Sequence, residues 1–237
     1  MPLLPFLAPD DPFPPSREAL SYPNGLLAVS EDLSPGRLLA AYRRGIFPWF
    51  EEPQPVLWWT PDPRLVLFPS EFHCARSLRR TLRRQRFQLS VNRCFREVMT
   101  ACAAPRPHQD GTWISPRMET AYAALHDAGY AHSIEAWDRE GRLAGGLYGV
   151  CLGGAFFGES MFSRSPDASK VALAGLAHLL CEGGGRVIDC QVETEHLLSL
   201  GARLIPRVDF EAMLAQTVTD EMAAGAWRLP EDTGALA

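Results

Sequence analysis

The sequence predicts a mixed α/β (α+β) fold, in which helices cover a sheet of mostly antiparallel strands. Three short runs rich in aromatic and β-branched residues, 132–138, 143–153 and 155–162, follow one another across glycine-bearing turns, which indicates an antiparallel meander. A helix pattern and a further strand, "RVIDCQ", come next. This order is typical of a mixed sheet, and the meander argues against a purely doubly wound fold.

The first 65 residues predict a small N-terminal lobe. They are rich in proline and aromatic residues and contain one helix, with Ser34 as N-cap, Pro35 at the first position and Gly45 as the stop. The segment 53–69 carries five prolines and predicts a rigid connection. We therefore expect a lobe over 1–65 and a catalytic domain over 66–237.

The elements between the lobe and the meander alternate in type. A basic helix precedes the strand "FQLSV", and Asn92 is expected to cap the helix that follows. The next helix is opened by Ser115-Pro116 and closed by Gly129. After the meander we expect a helix with Ser165 as N-cap and Pro166 at its first position, and then a short helix that ends at Gly201.

Composition excludes several classes of protein. An apolar fraction of 46% and a charged fraction of 22% are those of an ordinary globular chain. No apolar run approaches the ~18 residues of a membrane span, and the prolines near the N-terminus argue against a signal peptide. The six cysteines form no CxxC pair. We expect a cytoplasmic protein with reduced cysteines, no metal site and no membrane partner.

Charge is distributed unevenly along the chain. The net charge of −5 argues against nucleic acid, but residues 76–96 hold eight arginines and no acid. Leu78 and Leu82 lie at helical spacing, and the other side of the same helix carries Arg76, Arg79, Arg80, Arg83 and Arg84. The face is either simply solvated or a phosphate-binding surface, and the repulsion between arginines four residues apart favours the second interpretation.

Three polar residues near strand ends are candidates for the chemistry. Period-2 alternation places Asp189 and Gln191 on one face of their strand, and Phe157, Glu159 and Met161 on one face of another. If the two strands are neighbours, the polar residues line one wall of an apolar pocket, which is typical of small-molecule sites. A buried Asp or Gln that only caps a loop would give the same pattern.

Several strings occur together in a specific order: "GIFPWF", "WWTPDPR", "GTWISPRM", "GGLYGV", "FFGESMFSRSPDASK", "IDCQ" and "SLGARLIPR". Over about residues 25 to 210 the chain resembles the bacterial leucyl/phenylalanyl-tRNA–protein transferases. The resemblance implies an acyl-CoA N-acyltransferase (GNAT)-like domain behind a small lobe. It also implies transfer of Leu or Phe, and less well Met, from aminoacyl-tRNA to proteins with N-terminal Arg or Lys, which marks them for degradation. No cofactor is implied, and we expect a monomer.

The resemblance also assigns residues. Trp49 and Trp113 match aromatic residues that contact the terminal adenosine, and Tyr122 falls in the same part of the pattern. The pocket for the Leu or Phe side chain corresponds to Leu147, Phe156, Met161 and Ile188. The reaction centre corresponds to Glu159, Asp189 and Gln191. The basic helix lies in the region that faces tRNA. Lys170 is the only lysine beside 22 arginines, which indicates a site where the two residue types are not interchangeable, and we expect it to bind tRNA together with the basic helix.

These assignments lead to a hypothesis about the mechanism. Gln191 accepts a hydrogen bond from the attacking amine, and Asp189 fixes the direction of its amide. Glu159 is the counter-ion of the incoming basic residue or of its ammonium. Two alternatives stay open: an acyl-CoA-dependent N-acyltransferase, for which the R/Q-x-x-G-x-G/A loop is missing, and a non-catalytic tRNA-binding protein, which leaves the pocket residues unexplained.

Overall fold

The computed structural model describes residues 4–105, 112, 114–218 and 227–237. Within these ranges the chain forms two β-sheets with helices around them. The first sheet has the strand order β1-β2-β4-β3. Its strands are β1 (Phe6–Leu7), β2 (Leu26–Ser30), β3 (Phe47–Pro48) and β4 (Val56–Trp59). Strands β1 and β2 are parallel, and the remaining pairs are antiparallel.

Helix α1 (Pro35–Tyr42) lies beside the first sheet and begins as the sequence predicts. The Ser34 side chain accepts a hydrogen bond from the backbone N–H of Arg37, and proline occupies the first turn. Gly45 has a φ of +69°, and a Cβ there would lie 2.9 Å from the ring of Phe210. Both the backbone conformation and the close approach therefore require glycine at the end of this helix.

The second sheet has seven strands in the order β11-β5-β10-β9-β8-β7-β6. They are β5 (Arg64–Leu67), β6 (Gln88–Val91), β7 (Ala131–Trp137), β8 (Leu143–Leu152), β9 (Ala155–Ser163), β10 (Val187–Gln191) and β11 (Arg203–Ile205). Neighbours β9 and β10 are parallel, and every other described pair is antiparallel. The predicted meander corresponds to β7, β8 and β9, and the mixed α/β class is confirmed.

Among the described residues, six further helices accompany this sheet. They are α2 (Arg76–Arg83), α3 (Phe95–Ala103), α4 (Pro116–Asp127), α5 (Ala168–Glu182), α6 (Glu195–Ser199) and α7 (Arg207–Thr217). Helix α5 connects the parallel strands β9 and β10, as a parallel pair requires. Helix α4 has Ser115 as its N-cap, whose side chain accepts a hydrogen bond from the backbone N–H of Met118, and α6 is capped by Thr194.

Two predicted helix starts are wrong. Helix α5 begins at Ala168, not Pro166, and its N-cap is Asp167 with a φ of +70°. Helix α3 begins at Phe95 with Cys94 as its N-cap. Asn92 instead has a φ of +57°, and its side chain pairs with His132 and with the backbone N–H of Ser133. Tertiary hydrogen bonds therefore outweigh its local capping preference.

Bulges interrupt two strands, β9 and β10. Tyr148 pairs with Ser160 and Gly149 with Gly158, so Glu159 is the extra residue in β9. In β10, Asp189 pairs with Val66 and Gln191 with Leu65, which leaves Cys190 as the extra residue. Because a bulge shifts side-chain alternation by one residue, the prediction that Phe157, Glu159 and Met161 share a face is wrong. Phe157 lies in one core cluster, and Met161 packs against another.

The two sheets share hydrophobic contacts. One cluster of buried side chains joins Tyr42 and Trp58 from the N-terminal part to Tyr148 and Phe157 of the second sheet. A second cluster lies between that sheet and α5. Strand β5 already begins at Arg64, and the division into domains 1–65 and 66–237 stays a prediction. No helix among the described residues is long and apolar enough to cross a membrane.

Candidate active site

A chamber of about 880 Å³ opens where β8, β9 and β10 meet β3 and α3. Its apolar wall combines three neighbouring strands with helix α5 and consists of Leu147, Phe156, Met161, Leu173, Leu176 and Ile188. The structure thus brings all four residues predicted for the side-chain pocket together. Glu159, Asp189 and Gln191 also line the chamber. An apolar cavity with a few convergent polar groups is suited to a small apolar group with a polar reacting end.

Trp49 lies at the rim of this chamber and is 44% exposed. Its indole packs against Trp59 with ring centroids 5.8 Å apart, and Trp59 Nε1 donates to the Trp49 carbonyl at 2.7 Å. The Trp49 indole at the rim is therefore supported by a second, tilted indole and keeps a large accessible area. Trp113, predicted to act with it, lies outside the described residues.

Glu159 is 8% exposed, and both of its carboxylate oxygens accept hydrogen bonds. Tyr42 donates to Oε1 and Tyr122 to Oε2, each at 2.7 Å, and the two phenol oxygens also contact each other. The Gln191 amide nitrogen donates to Oε1 at 3.0 Å. The two tyrosines belong to helices α1 and α4, so the Glu159 side chain faces these helices.

Burial raises the pKa of Glu159 to about 7, and the nearby charge of Asp189 adds to the rise. The hydrogen bonds from Tyr42, Tyr122 and Gln191 act in the opposite direction, because they stabilise the carboxylate. Burial and the negative charge of Glu159 also hold the pKa values of both tyrosines well above their usual range. The phenols therefore remain hydrogen-bond donors at neutral pH.

Gln191 is held in a strained conformation at the end of β10. Its φ is +64°, a region that costs a non-glycine residue about 1–2 kcal/mol. Its backbone N–H donates to Oδ1 of Asp189 at 2.9 Å, while its side-chain amide reaches Glu159. The expectation that Asp189 orients the amide is therefore wrong: Asp189 holds the backbone, and Glu159 orients the amide.

Asp189 itself is fully buried against Arg64, which is also fully buried. Arg64 Nε donates to Oδ1 at 2.7 Å and Nη2 to Oδ2 at 2.6 Å, a bidentate pair. The guanidinium lies between the rings of Phe47 and Phe210, at 4.7 and 4.9 Å from their centroids. The charge of Asp189 is thus compensated by that of Arg64. Asp189 also holds the backbone N–H of Gln191 and so supports the bulge in β10.

Tyr122 is placed differently from the prediction. Its side chain is fully buried, it bonds to Glu159, and its ring meets Tyr148 edge-on. A ring with no accessible face does not stack on an adenine in this structure, and a part of Tyr122 in substrate binding stays a prediction.

Sequence reasoning missed two residues that organise the site, Tyr42 and Arg64. Tyr42 reads as a core position of a short amphipathic helix, and Arg64 as one arginine among many. Arg64 does lie inside the quoted string "WWTPDPR", and a single arginine that begins a fully buried strand is the signal that points to a buried anion.

The predicted basic surface forms on helix α2. Leu78, Thr81 and Leu82 are buried, and a surface groove opposite them is lined by Arg76, Ser77, Arg79, Arg80, Arg83 and Arg84. We call these five arginines the arginine face. Lys170 lies on α5 and is ion-paired with Asp167 at 3.4 Å; Asp167 also accepts from Thr81 Oγ1 of α2 at 3.0 Å. Lys170 therefore lies beside α2 and not in the chamber wall.

Metal ligation has no candidate in the part of the chain that the structure describes, since no group of three or more His, Cys, Asp or Glu side chains is suitably placed. The polar groups at the chamber include the oriented Gln191 amide and the buried Glu159 carboxylate, which accepts hydrogen bonds from the Tyr42 and Tyr122 phenols, next to an apolar slot.

Comparison with known proteins gives a consistent result. The family model "Leucyl/phenylalanyl-tRNA protein transferase" matches residues 66–215, and the model of the N-terminal domain of that family matches residues 31–62. Curated relatives with the name leucyl/phenylalanyl-tRNA–protein transferase include one from Thiobacillus denitrificans, 59% identical over 91% of this chain and 94% of that one. The relative from Nitrosomonas europaea is 58% identical over 87% of each chain. The relative from Aromatoleum aromaticum is 56% identical over 95% and 94%.

A solved structure, that of L-PGS from Bacillus licheniformis, aligns with 73% of this chain and 57% of its own. The sequence identity is 12% and the TM-score 0.38.

Proposed function

The chain belongs to the leucyl/phenylalanyl-tRNA–protein transferase family, and we propose that it moves leucine or phenylalanine from the 3′ end of aminoacyl-tRNA to the α-amine of proteins that begin with arginine or lysine. The product carries a new N-terminal residue that marks it for degradation in the cytoplasm. The enzyme acts as a monomer and needs no cofactor. Its second domain has the acyl-CoA N-acyltransferase-like arrangement, which the parallel β9–β10 pair inside a mostly antiparallel sheet supports.

The observation that carries this proposal is the hydrogen bond between Gln191 and Glu159 beside the apolar slot. Because the amide nitrogen donates to Glu159, the amide oxygen points away from that carboxylate. An acceptor oxygen fixed next to a pocket for an apolar side chain suits a reaction between an amine and the ester of an apolar amino acid.

This reaction requires alignment of the amine with the ester more than it requires activation of either reactant. The amine nitrogen attacks the ester carbonyl carbon and forms a C–N bond, and the bond from that carbon to the 3′ oxygen of the terminal ribose breaks. The proton that the amine loses is balanced by the one that the departing 3′ hydroxyl gains. An α-amine has a pKa of about 7.7–8.0, so a useful fraction is neutral near pH 7. Orientation of two such reactants is worth the largest share of the acceleration.

Gln191 is the catalytic residue in this proposal, because its amide oxygen accepts a hydrogen bond from the attacking amine. Glu159 is a positioning residue that fixes the amide. Its two oxygens already accept three hydrogen bonds, which favours this role over the counter-ion role expected from the sequence. Asp189 and Arg64 are also positioning residues: they do not act on the Gln191 amide but hold the bulge in β10 that carries it.

The slot accounts for the donor side chain. Leucine and phenylalanine branch at or beyond Cγ and fit between Leu147, Phe156 and Ile188, whereas a β-branched side chain is widest at the mouth. Pockets of this type separate side chains that differ by a methylene by only about 1–3 kcal/mol, so slower transfer of methionine is expected. Trp49 at the rim stacks on the terminal adenine, and the arginine face contacts the phosphates of the tRNA body.

The test is mass spectrometry of an Arg-initiated peptide incubated with this protein and leucyl-tRNA. We expect a gain of one leucyl residue that needs the tRNA and a free N-terminus. The same peptide with an acetylated N-terminus is the matched control, and a Gln191→Ala variant shows whether the chamber is responsible. An acetyl adduct in an acetyl-CoA reaction without tRNA would point to an acyl-CoA transferase. Tight tRNA binding without an adduct would point to a binding protein.

A further inference from the structure

We infer that the segment 227–237, which we call the supporting segment, is a positioning element for the arginine face. This inference deepens the proposed function, because it concerns how the tRNA-binding surface is held in place. It rests on contacts that reach from β7 across α5 to the buried side of α2.

Helix α2 has little intrinsic stability. It is eight residues long, its N-cap Ala75 provides no side-chain hydrogen bond, and its first turn contains no acidic residue. Helices of this length are marginal alone, and arginines at i and i+4, such as Arg76 and Arg80, destabilise it further. The arginine face therefore depends on what the opposite side of α2 packs against.

The supporting segment covers that opposite side. Helix α2 packs against the short 3-10 helix Thr233–Leu236, and Leu236 joins the core cluster that contains Leu78 and Leu82. Thr233 is 2% exposed, and its hydroxyl lies 3.3 Å from the Leu82 carbonyl and 3.4 Å from the Phe87 carbonyl. It donates at the point where α2 ends, so it fixes the end of the helix as well as its apolar side.

The segment is itself held by two contacts away from α2. The Trp227 ring stacks on His132 of β7, with centroids 4.0 Å apart and planes at 25°. Leu229 packs against α5 at Gly175, where an added Cβ would lie 3.2 Å from Leu229 Cδ2. The segment is thus attached to the sheet and to α5, and these two elements also build the chamber. Through it, the position of the arginine face is tied to the position of the chamber.

A second link runs between the same elements. Thr81 of α2 donates to Asp167, the N-cap of α5, and Asp167 also pairs with Lys170. This bond holds the middle of α2, whereas the supporting segment holds its end. A tRNA that reaches the chamber with its 3′ end needs its phosphates at a fixed distance from that chamber. Two attachments define the direction of a short helix, whereas a single attachment leaves the helix free to rotate.

The experiment compares the full chain carrying Thr233→Val and Leu236→Ala with the wild type. Leu204→Ala is the matched control, because Leu204 is an exposed leucine on β11 and far along the sheet from α2. Three quantities are measured: the Kd for uncharged tRNA at several salt concentrations, turnover of leucyl-tRNA, and turnover of a 3′-leucyl-adenosine ester that fills only the chamber.

We expect the double variant to bind tRNA at least five-fold more weakly, with a lower salt dependence because fewer phosphates are contacted. Its kcat/KM for leucyl-adenosine should change by less than two-fold, and Leu204→Ala should match the wild type in both. Hydrogen exchange provides a second readout: amides of α2 should exchange at least ten-fold faster, with β8 and β9 unchanged.

Three results would overturn the inference. An unchanged tRNA Kd would show that the segment does not position the arginine face. Equal losses with leucyl-tRNA and leucyl-adenosine would show that it only supports the fold as a whole. Absence of tRNA binding by the wild type would remove its premise. Wild type that binds tRNA but transfers no leucine would contradict the proposed function alone, because the Kd comparison does not depend on the reaction.

Discussion

The substitution Glu159→Gln separates two effects of the buried charge: its cost in folding free energy and its contribution to catalysis. Glutamine has the same shape, and its oxygen can accept from Tyr42 and Gln191 in place of Oε1, while its amide can donate to the Tyr122 oxygen in place of Oε2. All the hydrogen bonds at this position can therefore be kept. What the variant loses is the negative charge.

The size of the effect on stability follows from the pKa. Burial raises the pKa of Glu159 from an ordinary 4.5 to about 7. Between these two values the folded protein keeps a proton that the unfolded chain has lost, so stability falls as pH rises and is constant above about pH 7. One pKa unit corresponds to about 1.4 kcal/mol, and the cost above pH 7 is therefore about 3 kcal/mol.

We expect Glu159→Gln to be more stable than the wild type at pH 8 by about 2 kcal/mol, since weaker neutral hydrogen bonds offset part of the gain. For a chain of this size the melting temperature should rise by about 4–8 °C. At pH 4.5 the two proteins should melt together. Thermal unfolding followed by circular dichroism across this range is the measurement, with the exposed Glu18→Gln as control.

The same variant should lose activity. A neutral amide orients Gln191 less strongly than a carboxylate, and we expect kcat to fall about five- to ten-fold at pH 8. In the wild type, the acceptor amine should give log(kcat/KM) a slope of one on the acidic side, and protonation of Glu159 should add a fall of about five- to ten-fold near pH 7, which the variant should lack. A variant that is less stable at every pH, or that keeps this additional fall, would refute the assignment of a buried, charged carboxylate.

Three further predictions concern the groups around this carboxylate. Tyr122→Phe removes a donor to Oε2, so the pKa of Glu159 rises further and the acidic limb of the kcat/KM profile should move up by about 1–2 pH units. Gln191→Gly should exceed Gln191→Ala in unfolding free energy by about 1 kcal/mol in urea titrations, because φ at this position is +64°. Both variants should lose at least about 100-fold in transfer, because the amide oxygen that orients the attacking amine is removed. Arg64→Met leaves Asp189 buried without its partner and should cost about 3–5 kcal/mol in the same titration.

Each of these predictions has a control and a contrary outcome. Tyr22→Phe alters an exposed tyrosine and should leave the pH profile unchanged; a Tyr122→Phe profile that overlays it would contradict the proposed hydrogen bond. Equal stability of glycine and alanine at 191 would mean that the bulge is not strained. Adding Asp189→Leu to Arg64→Met should recover most of the loss, and a failure to recover would mean that packing rather than charge dominates there.

Local signals in the sequence predicted most of the secondary structure. The caps at Ser34 and Ser115, the basic amphipathic helix with its buried Leu78 and Leu82, and the three strands of the meander are all as expected. These features depend on residues within a few positions of each other, so the pattern carries the information. The ordered motifs likewise pointed to the family that the comparisons show.

The errors occur where distant residues decide the conformation. Asn92 has the capping preference that its type predicts, but bonds to β7 hold it in the left-handed region. Tyr122 was grouped with the adenosine-binding residues on its place in the motif, yet the structure buries it against Glu159. Period-2 alternation failed at Phe157 and Met161, because a bulge is a relation between two strands and leaves no certain trace in one.

By itself, the sequence determined the class of the fold, the order of the elements from α2 to α6, the family and a part of the side chains that line the chamber. Only the tertiary structure decided what those side chains do to each other. Tyr42 and Glu159 are 117 residues apart, and Arg64 and Asp189 are 125 residues apart. Contacts at such separations form only when the two sheets and helices α1 and α4 pack together, and that packing sets the burial on which the charge of Glu159 and the direction of Gln191 depend.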